Sequence, residues 1–185
     1  SEVEDLIKKL EESTEEVDRR VKKLIEDSRR STEDVDRKVK ELIKDVRRVI
    51  REVEERVARI KDREKIEKLI RDLEEILRRA LTEVERLLRE NNRISEKVLE
   101  DVERLLRENE RVVEEVLRRV EKLIKDDRIR ETVERVFRKV ERKTRELREE
   151  IREVDERNRR DSKRLRDEVE RVARELEKKL KEIDE

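Results

Sequence analysis

The chain contains no glycine, proline, cysteine, histidine, methionine, tryptophan or tyrosine, and Phe137 is its only aromatic residue. Each absence excludes something. Without cysteine there is no disulfide framework and no hint of redox compartment. Without histidine, cysteine or tyrosine, the commonest general bases and nucleophiles are missing. An ordinary domain carries about 7% glycine and about 5% proline; here nothing that strongly disfavours a helix interior remains. No apolar run exceeds two residues, so the sequence offers neither a membrane span nor the apolar core of a signal peptide. Among the 185 residues, the fold class this leaves is all-α.

Charged side chains make up 61% of the chain, with 56 basic and 56 acidic groups. High charge with few aromatics is also a mark of disorder. The cancelling charges argue against that, and the apolar spacing argues harder. Over the first sixty residues the stripe runs Val3, Ile7, Leu10, Thr14, Val17, Val21, Leu24, Ser28, Thr32, Val35, Val39, Leu42, Val46, Val49, Val53, Val57, Ile60. Steps of three and four alternate, as on a long amphipathic helix packed against others. Their mean lies between the 3.5 of a strict heptad and the 3.6 of a straight helix, predicting nearly straight helices with a weak left-handed supercoil.

The same rhythm continues from Ile66 to Leu123 and from Ile129 to Ile183, and loses phase at IKDREKI (60–66) and IKDDRI (124–129). Asp62 and Asp127 can each cap a following helix by accepting from its unpaired backbone N–H groups. Arg59, Lys61, Lys122 and Lys125 put cations at the preceding C-termini, where the helix dipole favours them. The opening SEVE reads as a capping box of Ser1 and Glu4. The expected architecture is a single long up-down-up three-helix bundle over 1–185, with helices near 2–61, 63–125 and 128–184. Helices of that length would span roughly 90 Å.

Asparagine, serine and threonine interrupt the stripe. If the chain folds back near residue 62, positions of equal height on the first two helices have numbers totalling about 125. A second reversal near 126 gives a total of about 253 for the second and third. At one level this brings together Asn91 with Ser162 and Ser95 with Asn158, alongside Ser31 and Thr32, with Ser28 a turn away. At a second level it brings together Asn109, Thr144, Ser13 and Thr14. Asn92 and Thr132 are expected to face water. Burying an amide or hydroxyl is tolerable when its donors and acceptors are paired, and a misregistered partner would leave them unpaired.

Gly- and Pro-free helices, surfaces of the VERLLRENERVVEEVLRRVEKLI type and aligned Asn/Ser/Thr levels resemble computationally designed helical bundles with buried hydrogen-bond networks. The resemblance covers the whole chain. It implies a scaffold, an oligomer or a partner-binding module rather than an enzyme, and no natural location: a soluble chain without a targeting signal, cytoplasmic in a recombinant host. Short loops in such proteins often carry Gly or Pro, and these do not.

No cofactor, small-molecule substrate or metal is expected. Carboxylates on solvated faces are ion-pair partners at helical spacing, and the His that accompanies inward Glu in helical metal sites is absent. Nucleic-acid binding would need one-sided charge. The basic and acidic groups are instead spread evenly: 18 and 18 over residues 1–61, 17 and 19 over 62–126, and 21 and 19 over 127–185. The second helix has 24 apolar residues against 19 and 15 on its neighbours. That surplus has two readings. It thickens the core of a monomer, or it leaves a strip including Leu81, Leu88, Leu99, Leu106, Val113 and Leu117 for a second copy or a partner helix.

Overall fold

The computed structural model describes residues 1–184. It contains three α-helices in sequence: α1 (Glu2–Arg59), α2 (Arg63–Leu123) and α3 (Asp127–Asp184). There is no strand among the described residues. The first two helices end two residues earlier than the periodicity suggested, and α3 begins one residue earlier. The cause is a tripeptide, Ile-Lys-Asp, at 60–62 and again at 124–126, which forms both connections.

The two connections are built alike. The Ile60 amide donates back to the carbonyls of Arg56 and Val57 at 3.2 and 3.3 Å, and that of Ile124 to Val120 at 3.0 Å. Asp62 then caps α2 by accepting the Glu64 amide on its carboxylate at 3.1 Å. Asp126 caps α3 by accepting from Arg128 at 3.1 Å. The second cap is thus Asp126, not Asp127, which is already the first helical residue. Aligning the two Ile-Lys-Asp tripeptides makes the correspondence plain. At the N-terminus Ser1 Oγ accepts the Glu4 amide at 3.3 Å, the first half of a capping box. No described residue has a positive φ, so neither turn requires glycine.

The helices contribute to two compact units. In the first, Ser1–Arg29 of α1 packs with Ile94–Arg157. One core cluster joins Leu6, Leu10, Val116, Val120, Val133 and Phe137. Another joins Val17, Val21, Val102, Leu106, Leu147 and Ile151. In the second unit, Arg30–Arg93 packs with α3 from Asn158 onward. Its clusters centre on Val35, Val39, Val84, Leu88 and Leu165, and on Val46, Ile50, Leu73, Val172 and Leu176. Within each unit every helix buries one stripe, each full aliphatic burial stabilising by about 1.5–3 kcal/mol.

The apolar surplus of α2 is largely consumed by these cores. Leu88 and Leu106, which one of the two readings left in a surface strip, are 4% and 0% exposed. Their doublet partners Leu87 and Leu105 are buried too. Adjacent residues on a helix point about 100° apart, so a doublet serves a helix with two neighbours by facing one with each member. Leu99 and Val113 pack at cluster edges. Leu81 does the same, and only Leu117 of the six is substantially exposed.

Candidate functional site

Among the described residues, the buried polar side chains Ser28, Thr32, Asn91, Asn109, Thr144 and Asn158 are what the cores contain beyond hydrocarbon. In the first unit, Asn109 lies on α2 between Leu106 and Val116 and is almost fully enclosed. Its amide nitrogen donates to Thr14 Oγ1 at 3.2 Å, and its amide oxygen accepts from Ser13 Oγ at 2.7 Å. One asparagine thereby engages two consecutive residues of α1 with both ends of its amide. Thr144, expected to join them from α3, is buried but turns away: its hydroxyl donates to the carbonyl of Val140 in its own helix at 3.0 Å. A β-branched hydroxyl can always satisfy itself this way one turn back, and height alone cannot foresee that.

The second unit repeats the arrangement. Asn91 is equally enclosed. Its oxygen accepts from Ser31 Oγ at 2.7 Å and from Thr32 Oγ1 at a longer 3.4 Å. Its nitrogen donates to Thr32 Oγ1 at 3.2 Å. Ser162, the expected partner on α3, lines a partly open pocket of about 280 Å³ together with Asn91 and Thr32. Of the remaining expected residues, Ser28 and Asn158 are buried. Ser95 is half-buried, and its enclosed hydroxyl has no hydrogen-bond partner among the described residues.

The bonded pairs on α1 and α2 have residue numbers totalling 122 or 123 at both places, slightly less than the expected 125. The coincidence reflects an 18-residue repeat that the apolar stripe alone conceals. On α1, STEEVDRRVKKLI (13–25) recurs as STEDVDRKVKELI (31–43), and on α2 LLREN (87–91) recurs at 105–109. On α3, Thr144, Leu147, Ile151 and Val154 have counterparts Ser162, Leu165, Val169 and Val172. Eighteen residues make five turns at 3.6 per turn, so counterparts leave their helices in the same direction. A self-comparison of the sequence would have found this.

Ion pairs flank the first unit's asparagine. Arg148 on α3 reaches Glu110 at 2.6 Å and Glu103 at 3.3 Å, both on α2. The bond it donates to Glu110 raises the guanidinium's pKa above its ordinary value, with Glu103 adding to it. Lys143 on α3 meets Asp18 on α1 at 3.1 Å, and the bond to Asp18 raises its pKa also. These cross-helix pairs fix neighbours rather than prepare reactive groups, since nearby carboxylates only secure the charged form. Among the described residues no group of three or more His, Cys, Asp or Glu could hold a metal ion. No helix there is long and apolar enough to cross a membrane.

No model of a protein family matches the sequence, and no curated protein matches it. Among solved structures, the chain is similar to one described as a computationally designed three helix bundle. The likeness has a TM-score of 0.74 at 16% identity and covers 98% of this chain and 90% of that one. At that identity the likeness concerns the fold, and the fold of this chain is a three-helix bundle.

Proposed function

We propose that the chain is a designed structural scaffold without catalytic activity, and that its buried polar residues specify which helices pair and in what register. The observation that carries the reading is the doubled motif. Asn91 and Asn109 each engage a Ser–Thr pair of α1, with the same spacing on both helices. A helix shifted by one turn would leave these amides in apolar surroundings without partners, at a cost of about 1–3 kcal/mol for each unsatisfied group.

The repeat itself makes a slip of five turns the most dangerous error, because it would set Ser31 and Thr32 level with Asn109. The sequence carries an answer to that. One repeat away from Ser28, Ser95 and Asn158 stand Leu10, Val113 and Val140. The two polar levels are therefore not equivalent, and a slipped helix would set hydroxyls and amides against hydrocarbon.

The test replaces Asn91, Asn109 and Asn158 by leucine and Ser162 by alanine together. The variant keeps its helical circular dichroism and its resistance to denaturant. Spin labels on α1 and α2, giving one distance in the parent, give several in the variant, or the variant populates more than one mass. Simple unfolding of the variant, or a single unchanged distance, refutes the specificity role. The scaffold acts as one closed chain, since α2 spends Leu88 and Leu106 in the core. Light scattering then gives a mass near 22.9 kDa at every concentration, and a stable multiple refutes the monomer.

A further inference from the structure

The second unit has an apolar pocket of about 60 Å³, open on one side, between its two apolar clusters, where α1 contributes Leu42 and Val46, α2 Leu77 and Ala80, and α3 Val172 and Ala173. The chain has only three alanines, Ala58, Ala80 and Ala173, and two of them line this space. The 18-residue repeat shows which wall is reduced there. On α2, ALTEVERL (80–87) corresponds to VLEDVERL (98–105), so Ala80 occupies the place that Val98 fills in the core of the first unit. Two of the three neighbours on α1 are unchanged between the levels, Leu42–Ile43 against Leu24–Ile25. Two methyl groups present on α2 at one level are missing at the other, while Val46 and Leu77, which stand where Ser28 and Ser95 stand, narrow the space without closing it.

We infer that this cavity is a binding site for a small, uncharged, apolar molecule. Its walls offer no hydrogen-bonding group apart from Glu177 at the margin. Water held in a cavity needs two to four polar partners and is poorly served there. A polarisable guest regains the dispersion contacts that lining atoms lose to an empty space. The volume suits a guest the size of xenon rather than an aromatic ring, since apolar cavities known to take benzene are about 150 Å³. Leu81 lines both the cavity and the groove between α2 and α3 outside it, so a guest enters past Leu81. This gives a partial place in a ligand site to a leucine that one of the two sequence readings left for a protein interface.

Xenon dissolved in a solution of the full chain is the probe, and methyl NMR is the readout. Saturable shifts are expected at the methyls of Ala80, Ala173, Leu77 and Leu81, with those of Leu24 and Val98 at the equivalent level unmoved. In Ala80→Val, which copies the residue at 98, xenon affinity falls at least about tenfold. Shifts that rise linearly with xenon and spread over the chain, or saturation that survives Ala80→Val, overturn the proposal. If Ala80→Val loses its helical signal, Ala173→Val takes its place as the filled variant. The localisation of shifts in the parent chain decides the matter independently of either variant.

Discussion

Asn109 offers a quantitative separation of stability from specificity. Two substitutions, Asn109→Ala and Asn109→Leu, remove the same two hydrogen bonds, to Ser13 and Thr14. At about 1 kcal/mol each, that loss is about 2 kcal/mol. Ser13 and Thr14 are only half-buried, so water reaches their hydroxyls and the penalty for leaving them unpaired stays small. Alanine adds a void beside the buried Leu106, and the total comes to about 2–3 kcal/mol. Leucine fills the space instead and gains about 2 kcal/mol from apolar burial, while the desolvation of an amide disappears. The leucine variant should lie within about 1 kcal/mol of the parent. Guanidinium unfolding followed by far-UV circular dichroism measures both, since the chain has no tryptophan or tyrosine to report by fluorescence. If Asn109→Leu is destabilised as much as Asn109→Ala, the amide is a net stabiliser and the argument from specificity fails.

Further outcomes follow from other parts of the molecule. Asp126→Ala should cost about 1 kcal/mol as the loss of an N-cap, and Asp127→Ala a small fraction of that; reversed magnitudes in the same denaturation assay would return the cap to Asp127. Filling the cavity by Ala80→Val should raise stability by about 1 kcal/mol, and a lowered midpoint would mean that the space is closed or the valine strained. Arg148→Gln leaves Glu103 and Glu110 without their shared cation, but all three side chains are more than a third exposed. The expected loss is therefore below about 1 kcal/mol, and it should vanish in high salt; a salt-independent loss would contradict a solvated pair. Asp34, Glu75, Glu83 and Glu90 have pKa values held below the ordinary carboxylate range by bonds to Lys38, Arg78, Arg86 and Arg93. Depressed folded pKa values give stability that is present above the unfolded values and lost as pH falls through the folded ones. A melting-temperature series should thus decline modestly below about pH 4, and a rise there would reverse the sign.

What the sequence determined is what a helix determines by itself. Residue type and spacing set helix, solvent face and buried face, because 3.6 residues per turn fixes the direction in which each side chain leaves the axis. That is why three helices, their approximate ends and the inward aspect of Asn91 and Asn109 could be read from the letters. The repeat of Ile-Lys-Asp even contained the second cap. Direction, however, says nothing about what stands opposite. Counting back from the two reversals brought Ser31 level with Asn91 and Ser13 level with Asn109, but whether they bond depends on how far each turn lets one helix travel past the next. Thr144 chose its own backbone over a neighbour, a choice between two short-range partners that spacing does not rank. Leu88 and Leu106 look like surplus on a single helix and become core once two neighbours approach from different sides. The cavity beside Ala80 exists only where three helices meet. Partner, depth and empty volume belong to the packed chain because each needs at least two elements to define it.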